Sequence, residues 1–268
     1  MVRNPHGKQF LIFINDLDST LTSSIFEICW RMTIPSCSVE STRIRTEKSS
    51  REICTNSSNG LKKWQMPFNT GKCVVVHFGY SNKQFDYYMD NQKLDVVKEA
   101  KDLGITITCT LKPATQCQQA YAKASRALGL IARTISYKSP EVLLKLYKTL
   151  VRPHAEYCVS AWSPYYVKDK ALLECIQHRF TRMVPELKSL PYEERLDHLG
   201  IWTLEERRNR ADLLPVFKLY NEWSSTQFGH LFIISTVTNT RGHTAKTDKP
   251  RCHLDLRRSF FSHCVIDR

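Results

Sequence analysis

The chain has 268 residues, 42% of them apolar, ten cysteines and a formal net charge of +13 at pH 7. That apolar fraction supports a buried core and excludes wholesale disorder, and the length holds one large domain or two small ones. The positive excess favours a polyanionic partner, RNA or DNA, through phosphate neutralisation and counterion release.

Residues 1–26 form a basic leader that ends in a short strand, Phe10-Leu11-Ile12-Phe13-Ile14, stopped by Asn15-Asp16. That run is too brief for a secretory signal or a membrane span, as is the one from Leu231 to Ile234. Residues 27–60 are rich in Ser, Thr and isolated charges and show neither helical nor strand period. Residues 61–113 alternate like strands. Val74-Val75-Val76-His77-Phe78 is a compact apolar run. Phe85, Tyr87 and Met89 face Leu94 and Val96 across Asp90-Asn91-Gln92, which predicts a hairpin. Ile105 and Ile107 alternate with Thr106 and Thr108 in a further strand.

Residues 114–225 are helical in pattern. Ser139-Pro140-Glu141 is a start signal, a cap followed by proline at the first helical position. Leu143, Leu146, Tyr147 and Leu150 then share a face. A second helix gathers Leu172, Leu173, Ile176, Phe180 and Met183, leaving His178, Arg179 and Arg182 elsewhere. A third begins at the capping box Thr203-Leu204-Glu205-Glu206 and runs through Leu213, Phe217 and Tyr220, with a kink expected at Pro215. Residues 226–268 are expected to be a basic, poorly ordered tail. The cysteines show no Cys-x-x-Cys pair and no zinc-type His/Cys spacing. Cys252-His253 and His263-Cys264 therefore read as chance neighbours. The expectation is reduced thiols in an intracellular protein, nuclear or cytoplasmic, neither secreted nor membrane-bound.

Several ordered motifs carry a resemblance. They begin with Phe13-Ile14-Asn15-Asp16-Leu17, Lys63-Trp64-Gln65-Met66, Phe68-Asn69, Lys72-Cys73 and Lys101-Asp102-Leu103-Gly104. They continue with Leu146-Tyr147-Lys148, Leu150-Val151-Arg152-Pro153-His154, Glu156-Tyr157-Cys158, Ala161-Trp162-Ser163-Pro164 and Tyr192-Glu193-Glu194-Arg195-Leu196. Leu204-Glu205-Glu206-Arg207-Arg208, Thr240-Arg241-Gly242-His243 and Pro250-Arg251-Cys252 complete the series. Over residues 10–26 and 61–265 the chain resembles the C-terminal half of a LINE-type non-LTR retrotransposon reverse transcriptase, an RNA-directed DNA polymerase. The resemblance implies an α+β fold: a truncated palm remnant with a primer-grip hairpin over 61–113, then a helical, thumb-like region over 114–225.

A polymerase of this family uses carboxylates to hold two magnesium ions, which activate the primer 3′ oxygen and stabilise the leaving pyrophosphate. The resemblance places one aspartate and the substrate loop before Met1, and an Asp-Asp pair just after Phe26. The chain contains no Asp-Asp dipeptide, and Glu27-Ile28-Cys29-Trp30-Arg31-Met32-Thr33 cannot build a magnesium site. A shifted reading frame accounts for this. Read from the third base of each codon, Trp30-Arg31 can give Ala, Arg31-Met32 can give Asp, and Met32-Thr33 must give Asp. The same offset over Arg51 to Leu61 permits an amphipathic helix ahead of Lys62-Lys63-Trp64. On this reading 27–60 is an out-of-frame, irregular segment that carries no selected binary pattern.

Trp64, Phe68, Phe78 and Trp162 read as core anchors, and His154 as a packed helix-end histidine. Glu205 and Glu206 are first-turn charges, and Asp16, Asp18 and Asp102 are turn or strand-end residues. Five arginines in the thumb-like region, Arg152, Arg179, Arg182, Arg207 and Arg208, are the candidate nucleic-acid contacts, neutralising phosphates without reading sequence. The expected function is a fragment with no catalytic residues, no metal site and no cofactor of its own, binding nucleic acid weakly and non-specifically. The alternative is an interaction or structural protein, or a non-functional product of a decayed element.

Overall fold

A computed structural model describes residues 73–78, 84–89, 92–224, 227–235, 246–252 and 258–267. The readings made on residues 1–72, including the out-of-frame segment 27–60, Trp64 and Phe68, lie outside the described residues. Among those described, the chain is a mixed α+β protein in two compact units. One holds the strands up to residue 100 together with 108–110; the other holds 101–107 and everything from 111 onward.

In the first unit, β2 (Tyr88–Met89) pairs antiparallel with β3 (Gln92–Lys93), so the hairpin expected around residues 90–92 is present. The next two residues, β4 (Asp95–Val96), pair in parallel with β1 (Val74–Val75). Leu94 is buried but Val96 is exposed, so only part of the alternation turns inward. Phe78 is also exposed, so it is not a buried core anchor; the strand containing Val74 stops after two residues.

β5 (Glu99–Asp102) pairs with β6 (Ile105–Thr108) across Leu103 and Gly104. Both turn residues have positive φ, 42° and 89°, as a two-residue hairpin turn matched to strand twist requires. Glycine takes the second of these at no steric cost. In the second unit the Thr106 N–H donates to Gln116 Oε1 at 2.9 Å, tying β6 to the first helix.

That helix, α1 (Ala114–Thr134), buries Cys117, Ala120, Ala124, Leu128 and Ile131, a stripe at helical spacing whose small residues let neighbours approach closely. Ser139 then caps α2 (Pro140–Leu146), its Oγ accepting from the Val142 N–H at 3.4 Å. The chain continues through a π-helical turn, Tyr147–Val151, into α3 (Arg152–Glu156). Pro153 has no N–H to offer the carbonyl four residues back, and the Arg152 N–H reaches Tyr147 O instead, one residue further than in an α-helix. The wider turn rotates the buried face. Val151 is 0% exposed and Leu150 49% exposed, so Leu143, Tyr147, Val151 and Ala155 form the inward row in place of the predicted Leu150.

α4 (Val159–Trp162) follows Cys158, a non-glycine residue in the left-handed region. Trp162 is buried as expected, its Nε1 donating to Tyr157 O at 2.8 Å. α5 (Val167–Thr181) runs beside α1 in the same direction. Cys117 and Asp169 interact electrostatically near the two N-termini, and Ser125 meets Arg179 further along. α6 (Tyr192–Leu199) ends at Gly200, with φ of 59°, and the Ile201 N–H turns back to Leu196 O at 3.1 Å, a glycine-closed helix end. α7 (Leu204–Tyr220) starts at Thr203, whose Oγ1 accepts from the Glu206 N–H at 3.1 Å. The helix passes through Pro215 as one element, not interrupted there.

Beyond α7, β7 (Ile233–Ile234) pairs antiparallel with β8 (Thr247–Asp248), and α8 (Phe261–Ile266) packs on α7. Over these described residues Phe232 and Val265 are buried. Among the described residues no helix is long and apolar enough to cross a membrane.

Candidate nucleic-acid interface

The inward face of α5 is partly polar: beside Leu173, Ile176 and Phe180 it buries Asp169, Gln177 and Thr181. Most buried polar groups in folded proteins are hydrogen-bonded, and Gln177 has partners at both ends of its amide. Tyr147 OH donates to its Oε1 at 2.8 Å; its Nε2 donates to Trp202 O at 3.0 Å and lies 3.1 Å from Tyr192 OH. The Glu174 carboxylate accepts from Tyr192 OH and from the Leu204 N–H, at 3.3 and 3.1 Å to its two oxygens. It therefore closes the N-terminus of α7 from the neighbouring helix, where a negative charge also meets the positive end of the helix dipole. Burial pushes the phenols of Tyr147 and Tyr192 far up, and hydrogen bonding to Glu174 adds to the shift at Tyr192. This lattice fixes α5, α6 and α7 against the π-helical turn and sets the directions in which the arginines emerge.

The five predicted arginines do not form one group. Arg207 donates from Nε and Nη2 to both oxygens of Glu156, and Arg152 Nε lies 3.4 Å from the same carboxylate. Two guanidinium groups thus share one glutamate on α3. The hydrogen bond to Glu156 raises Arg207 above its already high range. Arg208 is 2% exposed and lies on the buried row of α7 with Leu204, Asp212 and Leu219. Its burial removes it from any phosphate-facing surface, and desolvation lowers its pKa. The apolar residues Leu213, Phe217 and Tyr220 of the same helix are, by contrast, exposed.

Arg179 and Arg182 are exposed on the outer face of α5. Arg179 Nη1 donates to Ser125 Oγ of α1 at 3.3 Å, which brings the two helix surfaces together. Opposite the buried stripe of α1 stand Arg126 and Arg133, both exposed, and the Arg133 guanidinium lies back over Gly129. Arg126, Arg133 and Arg179 are thus exposed on two helices that run side by side, with Arg182 exposed at the C-terminal cap of α5. Arg195, by contrast, is buried. Its Nη1 donates to Thr181 Oγ1 at 3.0 Å and to His178 O at 3.4 Å, closing the C-terminal end of α5. His178 stacks on Tyr192, and burial lowers its pKa, so it adds no charge to this surface at neutral pH.

Arg126 and Arg133 were missed because their significance depends on the parallel pairing of α1 with α5, which no local motif encodes. Their four- and three-residue spacing with Ala122 and Gly129 was the available signal. His154, expected to be packed, is exposed on α3, two residues before that helix ends. Glu205 and Glu206 serve as first-turn charges: Glu205 pairs with Lys170, and Glu206 with Arg210 at 2.8 Å. Among the described residues no group of three or more His, Cys, Asp or Glu side chains could hold a metal ion. The residues where the family's Asp-Asp pair is expected lie outside the described ones, and their composition does not fit magnesium. No protein-family model, curated protein or solved structure matches the chain.

Proposed function

We propose that the chain is a polymerase-inactive protein derived from a non-LTR retrotransposon reverse transcriptase, and that its helical unit binds RNA or DNA without sequence preference. The observation that carries the binding half is that Arg126, Arg133, Arg179 and Arg182 are all exposed, on or at the end of two helices that run side by side. Such a surface neutralises phosphates and makes no demand on base sequence. The inactive half rests on composition: the chain has no Asp-Asp pair, and the thumb-like assignment of the helices follows from the ordered motifs rather than from their packing.

Non-specific contacts of this kind give dissociation constants of about 10⁻⁴ to 10⁻⁶ M at physiological salt. The test is a salt titration of duplex binding by the intact chain beside a variant with Arg126, Arg133, Arg179 and Arg182 changed to glutamine. The variant is expected to bind more weakly, with a slope of log K against log salt reduced by up to about four units. Identical affinities and slopes would remove the surface from the proposal and shift attention to the basic stretch after residue 236.

One observation favours the reading as an interaction protein. Leu213, Leu214, Phe217 and Trp223 are all exposed at the C-terminal end of α7, with Trp223 71% accessible. Contiguous apolar surface of this sort marks contact sites. Sedimentation of the chain in the absence of nucleic acid distinguishes this reading by its dependence on concentration.

A further inference from the structure

Between α1 and α2 the chain runs extended and exposed. Ile135 has φ of −98° and ψ of 110°, and Ser139 has φ of −67° and ψ of 144°. Ser136, Tyr137 and Lys138 lie between them and are all exposed, with Tyr137 76% accessible. Among the described residues these three make no hydrogen bond and no ion pair. Their peptide groups are therefore open to a partner's main chain, the way an extended segment is held in a recognition cleft. The hydroxyls of this stretch differ in availability. Thr134 Oγ1 donates to Leu130 O at 2.9 Å, within the last turn of α1. Ser139 Oγ accepts from the Val142 N–H and caps α2. Ser136 makes no such bond among the described residues. Three residues before it stands Arg133, exposed, its guanidinium lying over Gly129 with no acidic partner among the described residues. An arginine at a fixed offset from a serine is the kind of charge pattern by which kinases discriminate substrates. The same spacing recurs at Arg43 with Thr46 and at Arg241 with Thr244, which lie outside the described residues.

We propose that Ser136 is a phosphorylation site for a serine/threonine kinase that selects arginine three residues before the acceptor, and that the phosphate weakens nucleic-acid binding through Arg133. In the step, Ser136 Oγ forms a bond to the γ-phosphorus of ATP. The bond from that phosphorus to the β–γ bridging oxygen breaks and ADP leaves with the bonding pair. The hydroxyl proton passes to the kinase's catalytic carboxylate. The new group adds a charge of about −1.5 to −2 at pH 7. Three residues span at most about 11 Å, close to the screening length of about 8 Å at physiological salt, so this charge acts on Arg133. The effect on binding rests on the nucleic-acid reading, whereas the acceptor assignment stands apart from it.

The experiment incubates the full chain with magnesium, ATP and a kinase of that specificity, and maps phosphate by peptide mass spectrometry over time. Ser136 is expected to become labelled while Thr134 and Ser139 do not, with the far-UV helical signal intact. Arg133→Gln, at an exposed position, should slow labelling of Ser136 by about tenfold, the worth of one charge-assisted contact. A folded chain labelled at Ser136 no faster than at Thr134 or Ser139 overturns the proposal. So does an Arg133→Gln chain labelled at the unchanged rate. The phosphorylated chain then enters the duplex salt titration beside a Ser136→Ala chain treated with the same kinase, which carries any phosphate added elsewhere. Its slope of log K against log salt is expected to be smaller than that of Ser136→Ala by about one to two units. Equal slopes and equal affinities overturn the effect on binding. An untreated chain that fails to bind duplex defeats the nucleic-acid reading and the effect on binding with it, while labelling still decides the acceptor.

Discussion

Glu156 decides how much positive charge the helical unit presents on one side. Its carboxylate takes both hydrogen bonds of Arg207 and the nearby Nε of Arg152, so three charged groups display a net charge of one. The pairs are partly exposed, and their worth to stability is correspondingly small. Their effect on a polyanionic partner is larger. Glu156→Gln keeps the shape, removes the negative charge and leaves two guanidinium groups available to phosphate. The expected outcome is tighter duplex binding and a salt slope steeper by about one to two units. An unchanged slope would show that Arg152 and Arg207 face away from the nucleic acid. Arg208 offers the opposite case. It is enclosed by its own helix row and by the acidic groups Glu174, Glu205 and Asp212, which favour its charged form against desolvation. Arg208→Met should therefore leave the salt slope as it is, and a fall of a full unit would contradict its burial.

At the scale of elements, the π-helical turn is the feature that local periodicity could not supply. Leu143, Leu146, Tyr147 and Leu150 fit one α-helical face, yet the inward row is Leu143, Tyr147 and Val151. The extra residue in the turn, set ahead of Pro153, moves Leu150 outward and Val151 inward. Val151→Ala should cost about 2 kcal/mol by cavity formation, whereas Leu150→Ala should stay within about 0.5 kcal/mol, both read from urea melts. Equal losses would mean a regular helix through this stretch. Other elements were legible because their signals are local. Ser139-Pro140 fixed the start of α2 and Thr203 the start of α7. The polar core row of α5 was not legible: Gln177 looks like a surface residue until Tyr147, Tyr192 and the Trp202 carbonyl are brought over it. The same holds for α7, where Arg208 and Asp212 point inward and Leu213 and Phe217 outward, against the usual preference.

For the whole molecule, the buried phenols link stability to alkaline pH. Burial raises the pKa of Tyr147 and Tyr192 above that of an unfolded tyrosine, so folding favours their protonated form. That contribution is complete below the unfolded value of about 10 and is lost progressively as pH rises through and beyond it. Thermal melts should therefore lose midpoint temperature above about pH 10. Tyrosinate absorbance should show at least two phenols that ionise only as the far-UV helical signal collapses. Ionisation of every tyrosine before any loss of helix would contradict the buried network.

The polymerase question is also one for the intact chain. Purified protein should extend no primer on RNA or DNA templates with magnesium or manganese, since no adjacent aspartate pair is present in it. Template-dependent nucleotide incorporation that survives a contaminant control would overturn the inactive reading.

The most direct measurement of the central claim is photo-crosslinking of a bound duplex to the intact chain, with the attached peptides identified by mass spectrometry. The account predicts adducts on the outer faces of α1 and α5, around Arg126, Arg133, Arg179 and Arg182, and none at Arg208. Crosslinks confined to residues beyond 236, with α1 and α5 unmarked, would contradict it.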